Sequence, residues 1–133
     1  MVLATGHFAH GWAKMARKMG VQVDILDFGK DKALDIHILN EKLKSEPKTK
    51  YKAILMTHVD TSTSVKNDIA SVRKKLDEVG SPALLAVDCI ASLACDRFEM
   101  DEWGVDVMVA ACQKGLMVPA GIGFVFFNDL SLI

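Results

Sequence analysis

The chain has 133 residues, of which 50% are hydrophobic and 25% are charged, so it is too apolar to be disordered and long enough for one globular domain. Sixteen Lys and Arg residues nearly balance seventeen Asp and Glu residues, which gives a formal net charge of −1. This balance excludes a general electrostatic attraction to nucleic acid or to an anionic membrane surface.

The first half of the chain alternates between helical and strand patterns. In chain order it predicts a helix near residues 7–19, a strand over 21–28, a helix from about 35 to 46 and a strand over 51–57. In the first helix, Phe8, Trp12 and Met15 fall on one face at helical spacing, and we expect this face to pack inward. Asp35 is placed to cap the second helix, and Pro47 follows the end of that helix.

The second half continues the alternation. It predicts a helix near residues 68–79, strands over 83–87, 105–110 and 121–127, and a single helical turn over 98–103 that Gly104 closes. The strands are short and almost entirely apolar, which is typical of a parallel sheet covered on both faces. The sequence therefore predicts an α/β fold with a mostly parallel sheet.

Polar residues follow three of the predicted strands. The strand over 51–57 runs into the hydroxyl-rich segment 57–64, the strand over 83–87 ends at Asp88, and the strand over 105–110 leads to Gln113 and Lys114. Because ligands bind outside the carboxyl ends of parallel strands, we expect these residues to meet at one edge of the sheet.

Each of these features also has a purely structural interpretation. Asp88 could serve as a helix cap, Lys114 could be a solvated loop lysine, and residues 61–64 could form only a turn. Lys114, however, lies between the apolar runs 105–111 and 116–118, so we expect its amine to be partly desolvated and nucleophilic. An amine, a carboxylate and several hydroxyls are together the parts of a pyridoxal phosphate site, which is one interpretation among several at this stage.

Several longer segments combine these residues in a more specific pattern. They are Gly6-His7-Phe8 through Trp12-Ala13, Thr57-His58-Val59-Asp60-Thr61-Ser62-Thr63-Ser64, Val87-Asp88-Cys89-Ile90-Ala91-Ser92-Leu93, Asp101-Glu102-Trp103-Gly104-Val105-Asp106, Gln113-Lys114-Gly115-Leu116 and Pro119-Ala120-Gly121. In their order and spacing they resemble the class V aminotransferases, and most closely the serine–glyoxylate and alanine–glyoxylate aminotransferase group. The resemblance extends over nearly the whole chain.

The resemblance implies the three-layer α/β/α fold of type I pyridoxal-phosphate enzymes, with the last strand antiparallel to its neighbour. Residues 1–133 would form a single domain, the central part of the large cofactor-binding domain, with the C-terminal small domain absent. The implied reaction is a pyridoxal 5′-phosphate-dependent transfer of an amino group from a serine- or alanine-type donor to glyoxylate or a related 2-oxo acid. A cytoplasmic homodimer is implied as well.

The resemblance also implies roles for single residues. Lys114 matches the catalytic lysine that forms a Schiff base with the cofactor, and Asp88 matches the catalytic partner of the pyridine nitrogen. The other implied cofactor-binding residues are Phe8 stacked on the ring, Ile90 on the opposite face, Thr61 beside the ring and Gln113 beside the phenolic oxygen.

Some positions depart from the family pattern or leave alternatives open. Ser64 stands where the family usually has Gly, and this matters only if the backbone there requires a positive φ. Class V desulfurases and lyases typically have His at the positions of Phe8 and Gln113, which disfavours a lyase or desulfurase-like enzyme. A truncated, non-catalytic α/β fragment is the other alternative, because the upstream phosphate-binding segment and the substrate-binding arginine have no counterpart in this sequence.

The remaining features predict a soluble protein of a reducing compartment. The three cysteines are few and odd in number, which fits the cytosol better than a disulfide scaffold. No apolar run approaches the roughly 20 residues of a membrane span, and the N-terminus lacks signal-peptide features. His7 and His10 have no third ligand at suitable spacing, so no metal site is predicted.

Overall fold

The computed structural model describes residues 1–129 and is built around a six-stranded sheet. Its strands are β1 (Val2–Ala4), β2 (Ile25–Asp27), β3 (Ala53–Thr57), β6 (Leu84–Asp88), β7 (Val107–Ala111) and β8 (Gly123–Phe127), and a separate hairpin is formed by β4 (Val59–Asp60) and β5 (Val65–Lys66). The sheet order is β2-β1-β3-β6-β7-β8. All neighbours are parallel except β8, which is antiparallel to β7, as predicted.

Three helices connect the strands. They are α1 (His7–Lys18), α2 (Ile36–Lys44) and α3 (Ile69–Glu78). Asp35 caps α2 by accepting the His37 N–H at 2.8 Å, as predicted, and Asp68 caps α3 by accepting the Ser71 N–H at 3.0 Å. The predicted turn before Gly104 is also present, with φ 61° at that glycine.

Two short elements were not predicted from the sequence. The segment Val2–Ala4 is a central strand that pairs with both β2 and β3, and the segment 59–66 closes into a hairpin rather than an open loop. Strand β2 is also shorter than the predicted 21–28. Elements of two or three residues are too short to show a period, so only their tertiary pairing reveals them.

The two faces of the sheet are covered differently. Helices α2 and α3 pack on one face over the main core, whereas α1 lies on the other face over β1, β2 and β3. The inward face of α1 carries Ala9 and Ala13, so the prediction that Phe8, Trp12 and Met15 face the core is wrong. Two alanines allow the helix to approach the strands closely, and the larger apolar side chains point away from them.

On the side of the sheet where α1 lies, no helix of residues 1–129 covers strands β7 and β8. Val125 and Phe127 lie opposite Val109 and Val107 in the register and are 61% and 55% exposed. The structure thus confirms an α/β fold with a mostly parallel sheet, and its third layer is partial. Within residues 1–129, no helix is both long and apolar enough to cross a membrane.

His58 is a buried polar residue in the core beyond the end of β3. Its ring centroid lies 5.5 Å from that of Phe98 and 5.9 Å from that of Trp103, and its Nδ1 atom has no hydrogen-bond partner. Burial lowers the pKa of His58 below its ordinary value of 6.5, and the Asp96 carboxylate only partly opposes this shift. The neutral imidazole is therefore the form that fits the folded state.

The lowered pKa of His58 predicts a loss of stability in mild acid. Below about pH 6.5 the unfolded chain binds a proton that the folded imidazole resists, so the free energy of unfolding falls as the pH decreases. We expect His58→Phe to lessen this fall when urea unfolding is compared at about pH 7.5 and about pH 5. The exposed control His37→Phe should leave the fall unchanged, and an equal fall in both variants would contradict the assignment.

Candidate functional site

The predicted functional residues lie along the carboxyl edge of β3, β6 and β7. Thr57 pairs with Asp88 in the register of the sheet, and Asp88 pairs with Val109. The preceding residue, Val87, is buried on the side of α2 and α3. Because side chains alternate along a strand, the Asp88 side chain lies on the side of α1 and of the bare part of the sheet.

Asp88 is a half-buried carboxylate that accepts one backbone N–H. One carboxylate oxygen accepts the Ile90 N–H at 2.8 Å, which tends to lower the pKa of Asp88. Burial is the larger effect and raises that pKa above its ordinary value, and the nearby Asp60 adds to the increase. The hydroxyl of the neighbouring Thr57 is also buried and has no partner. A carboxyl group with a raised pKa beside a buried hydroxyl without a partner is typical of a site that binds a ligand.

The N-terminus of α1 is capped by a residue from the distant hairpin. The carboxylate of Asp60 is fully buried, and its Oδ2 accepts the N–H groups of Phe8 at 3.0 Å and Ala9 at 3.2 Å. Its Oδ1 accepts the N–H of Ser62 at 3.0 Å and the hydroxyl of Ser62 at 2.6 Å. The Ser62 hydroxyl oxygen in turn accepts the His7 N–H at 2.9 Å. This network attaches the segment that contains Phe8 to the loop that contains Thr61.

Gly6 makes this contact possible. A Cβ at Gly6 would lie 2.5 Å from Asp60 Oδ1, which is closer than nonbonded atoms approach. The backbone at Gly6 is extended, with φ 177°, so space rather than conformation requires the glycine. Gly6 has no side chain that could cap the helix. The sequence therefore indicates that a residue distant in the chain caps it.

The hairpin loop holds a strained residue where the family pattern has glycine. Ser64 has φ 59°, a left-handed conformation that favours glycine, and its N–H donates to the Asp60 carbonyl oxygen at 2.8 Å. Ala94 and Met117 also have positive φ values, of 62° and 54°. All three lie in loops that follow strands at this same edge. Strained backbone commonly collects at functional sites.

The predicted desolvation of Lys114 is wrong. Lys114 and Gln113 are both exposed in the loop after β7. The reason is that the following residues lie on the surface instead of covering the lysine, and Met117 is 90% exposed. Nothing in the described part of the chain shields the amine from water.

The loop that carries Lys114 nevertheless packs tightly on the loop that follows Asp88. A Cβ at Gly115 would overlap the Leu93 carbonyl oxygen and would lie 2.8 Å from Cys95 Sγ. The backbone next to Lys114 is therefore held against the segment that begins at Asp88. This contact fixes the backbone position of Lys114, although its side chain is exposed.

The remaining predicted residues surround the same edge. Phe8 is 49% exposed in the first turn of α1, and the His7 ring meets it edge-on at 5.6 Å. Thr61 is exposed in the hairpin loop, and Ile90 is half-buried just after Asp88. Among residues 1–129, no group of three or more His, Cys, Asp or Glu side chains is placed to hold a metal ion.

Two glycines of the first helical segment provide a matched test of the Asp60 cap. Gly6→Ala should destabilise the chain by about 1–3 kcal/mol, because the new Cβ displaces the capping carboxylate. Gly11→Ala lies within α1 with no atom within 4 Å of the added Cβ, so it should stabilise the chain by about 0.5–1 kcal/mol. Urea unfolding measures both changes, and equal effects of the two substitutions would contradict the account.

The strain at Ser64 predicts a stabilising substitution. Ser64→Gly should raise the free energy of unfolding by about 0.5–1 kcal/mol, because relief of the left-handed strain exceeds the added chain entropy. The control Ser45→Gly, at a C-cap residue with φ −76°, should lower it by about 0.5 kcal/mol. The strain assignment fails if chemical unfolding shows that both substitutions destabilise the chain equally.

Comparisons with known proteins show which family the chain resembles. The family model described as aminotransferase class V matches residues 1–132. The chain is 38% identical over 127 residues to the L-aspartate–glyoxylate aminotransferase of Paracoccus denitrificans and to the serine–glyoxylate aminotransferase of Arabidopsis thaliana, covering 96% of this chain and 32% of each relative. It therefore spans about a third of the length of these relatives.

One of the solved structures has a similar fold over nearly the whole chain. The aspartate aminotransferase of subgroup IV from Thermus thermophilus superimposes with a TM-score of 0.86 at 27% sequence identity, covering 98% of this chain and 36% of that one. Its similarity extends over all the elements that surround the carboxyl edge. Together with the family match, this similarity shows that the chain belongs to the class V aminotransferase family.

Proposed function

We propose that this chain provides the cofactor-binding core of a pyridoxal-phosphate-dependent aminotransferase. The observation that carries the proposal is Asp88, a half-buried carboxylate that accepts one backbone N–H at the carboxyl edge of a class V chain. A protonated pyridine nitrogen is a group that would complete it. The relatives named as L-aspartate–glyoxylate and serine–glyoxylate aminotransferases support transfer of an amino group to glyoxylate. Within this proposal the donor is of the serine or alanine type, and the acceptor is glyoxylate or a related 2-oxo acid.

The residues present at the edge fit pyridoxal 5′-phosphate. Asp88 would pair with the ring nitrogen, the exposed face of Phe8 would stack on the ring, and Ile90 would pack on the other side. The exposed Thr61 hydroxyl and Gln113 amide would donate to polar atoms of the ring. When bound, the cofactor supplies an electron sink for the carbanion that forms at the substrate Cα.

Two residues of this chain, Lys114 and Asp88, would take part directly in the reaction. Lys114 would hold the cofactor, and as a free amine it would accept and return a proton at the substrate Cα as general base and then acid. Asp88 would stay ionised opposite the protonated ring nitrogen. Its raised pKa in the absence of a cation means that pairing with one removes an unfavourable desolvated charge.

The proposal also covers the place of this chain in a larger domain, its oligomeric state and its substrates. We place residues 1–133 in the central part of a large cofactor-binding domain, within a cytoplasmic homodimer whose other segments hold the cofactor phosphate and the substrate carboxylate. Amino-acid and 2-oxo-acid substrates are the expected partners. The similarity to relatives over about a third of their length supports this placement.

Borohydride reduction of the chain with limiting pyridoxal phosphate, followed by peptide mapping, tests the proposal. We expect one stable adduct, at Lys114. Asp88→Asn keeps the acceptor for the Ile90 N–H but removes the charge, so labelling should fall about tenfold, as expected for a lost hydrogen bond to a charged group. The control Asp101→Asn, at an exposed position, should label like the unaltered chain.

The same Asp88 variant distinguishes loss of function from loss of fold. Because the folded state raises the pKa of Asp88, its ionisation at neutral pH opposes folding, and Asp88→Asn should increase the free energy of unfolding. A variant that is more stable yet labels poorly supports the site. Adducts scattered over surface lysines, or equal labelling of Asp88→Asn, would leave a non-catalytic α/β fragment as the better description.

A further inference from the structure

We infer that Asp60 is a positioning residue that holds the aromatic residue Phe8 and the hydroxyl residue Thr61 in one fixed arrangement at the cofactor edge. The inference rests on the proposed function, because these two residues are among those expected to contact the cofactor ring. Asp60 itself is fully buried behind them and is not expected to touch the cofactor.

The carboxylate of Asp60 serves two separate elements with its two oxygens. Oδ2 binds the first turn of α1 through the Phe8 and Ala9 N–H groups, and Oδ1 binds the hairpin loop through both donors of Ser62. Phe8 is itself one of the donors, and Thr61 lies between Asp60 and Ser62 in the chain. Movement of the carboxylate would therefore displace both cofactor-facing residues together.

The loop is also closed around Asp60 by its own backbone. The Asp60 carbonyl oxygen accepts the N–H groups of Thr63 at 3.1 Å and Ser64 at 2.8 Å. The Thr63 hydroxyl donates to the Thr5 carbonyl oxygen at 3.2 Å, just before α1 begins. These bonds connect the loop to the same short stretch of chain that the carboxylate caps.

The helix end has no alternative local cap. The N-cap residue Gly6 has no side chain, and the first turn of α1 contains no acidic residue. The buried negative charge of Asp60 is met by four N–H and O–H donors and by the positive end of the helix dipole. Within residues 1–129, no Lys, Arg or His forms an ion pair with it.

Asp60→Ala separates positioning from the loss of a helix cap elsewhere in the fold. Alanine has no acceptor oxygen, so the variant releases both the helix and the loop. The matched control is Asp68→Ala, which removes the carboxylate from the N-cap of α3. Both variants lose a helix cap, but only the first lies behind the residues proposed to hold the cofactor.

The experiment combines amide hydrogen exchange with reductive labelling by pyridoxal phosphate in the full chain. In Asp60→Ala we expect exchange at Phe8, Ala9 and Ser62 to accelerate together about tenfold, and labelling at Lys114 to fall about tenfold at limiting cofactor. In Asp68→Ala we expect faster exchange only in α3 and unchanged labelling. Phe8→Ala combined with Asp60→Ala should reduce labelling by less than the product of the two single effects.

Several outcomes would overturn the inference. Asp60→Ala could label like the unaltered chain, its effect could multiply fully with that of Phe8→Ala, or its faster exchange could be confined to one of the two segments. Failure of the proposed function has a different signature, which is the absence of a Lys114 adduct in the unaltered chain. In that case the exchange result alone decides whether Asp60 holds the two segments as a unit.

Discussion

The buried carboxylate of Asp60 is the interaction on which the arrangement of the edge depends. It caps a helix whose own N-cap, Gly6, offers no side chain, and it does so from a hairpin more than fifty residues away in the chain. The close approach of Gly6 and the two donors of Ser62 leave the carboxylate a single position. This contact fixes the backbone of the first turn of α1, which carries Phe8, against the loop that carries Thr61.

The edge also concentrates features that oppose stability. Asp88 is ionised at a cost, because burial raises its pKa, and the Thr57 hydroxyl beside it has no partner. Ser64, Ala94 and Met117 hold left-handed backbone in the three surrounding loops. The opposite face of the sheet, under α2 and α3, is a largely apolar core, in which the Nδ1 atom of His58 also has no hydrogen-bond partner. Strained loops beside a half-buried carboxylate at one edge of a well-packed sheet are typical of a binding site.

Sequence patterns predicted the long elements well and the tertiary contacts poorly. Periodicity located the helices and the strand that ends at Asp88, because those signals are local. It missed β1 (Val2–Ala4), which is too short to show a period, and it placed Phe8 on the wrong face of α1 because Ala9 and Ala13 carry little hydrophobic signal. The role of Asp60 and the exposure of Lys114 depend on partners distant in the chain, which no local pattern contains.

The protonation state of the ring nitrogen tests the central claim most directly. Nitrogen-15 NMR of the chain loaded with ring-labelled pyridoxal phosphate reports whether that nitrogen carries a proton. The account predicts a protonated nitrogen in the unaltered chain and a neutral one in Asp88→Asn, because only the carboxylate stabilises the positive ring. An identical resonance in the two proteins would show that Asp88 does not face the ring, and it would contradict the site described above.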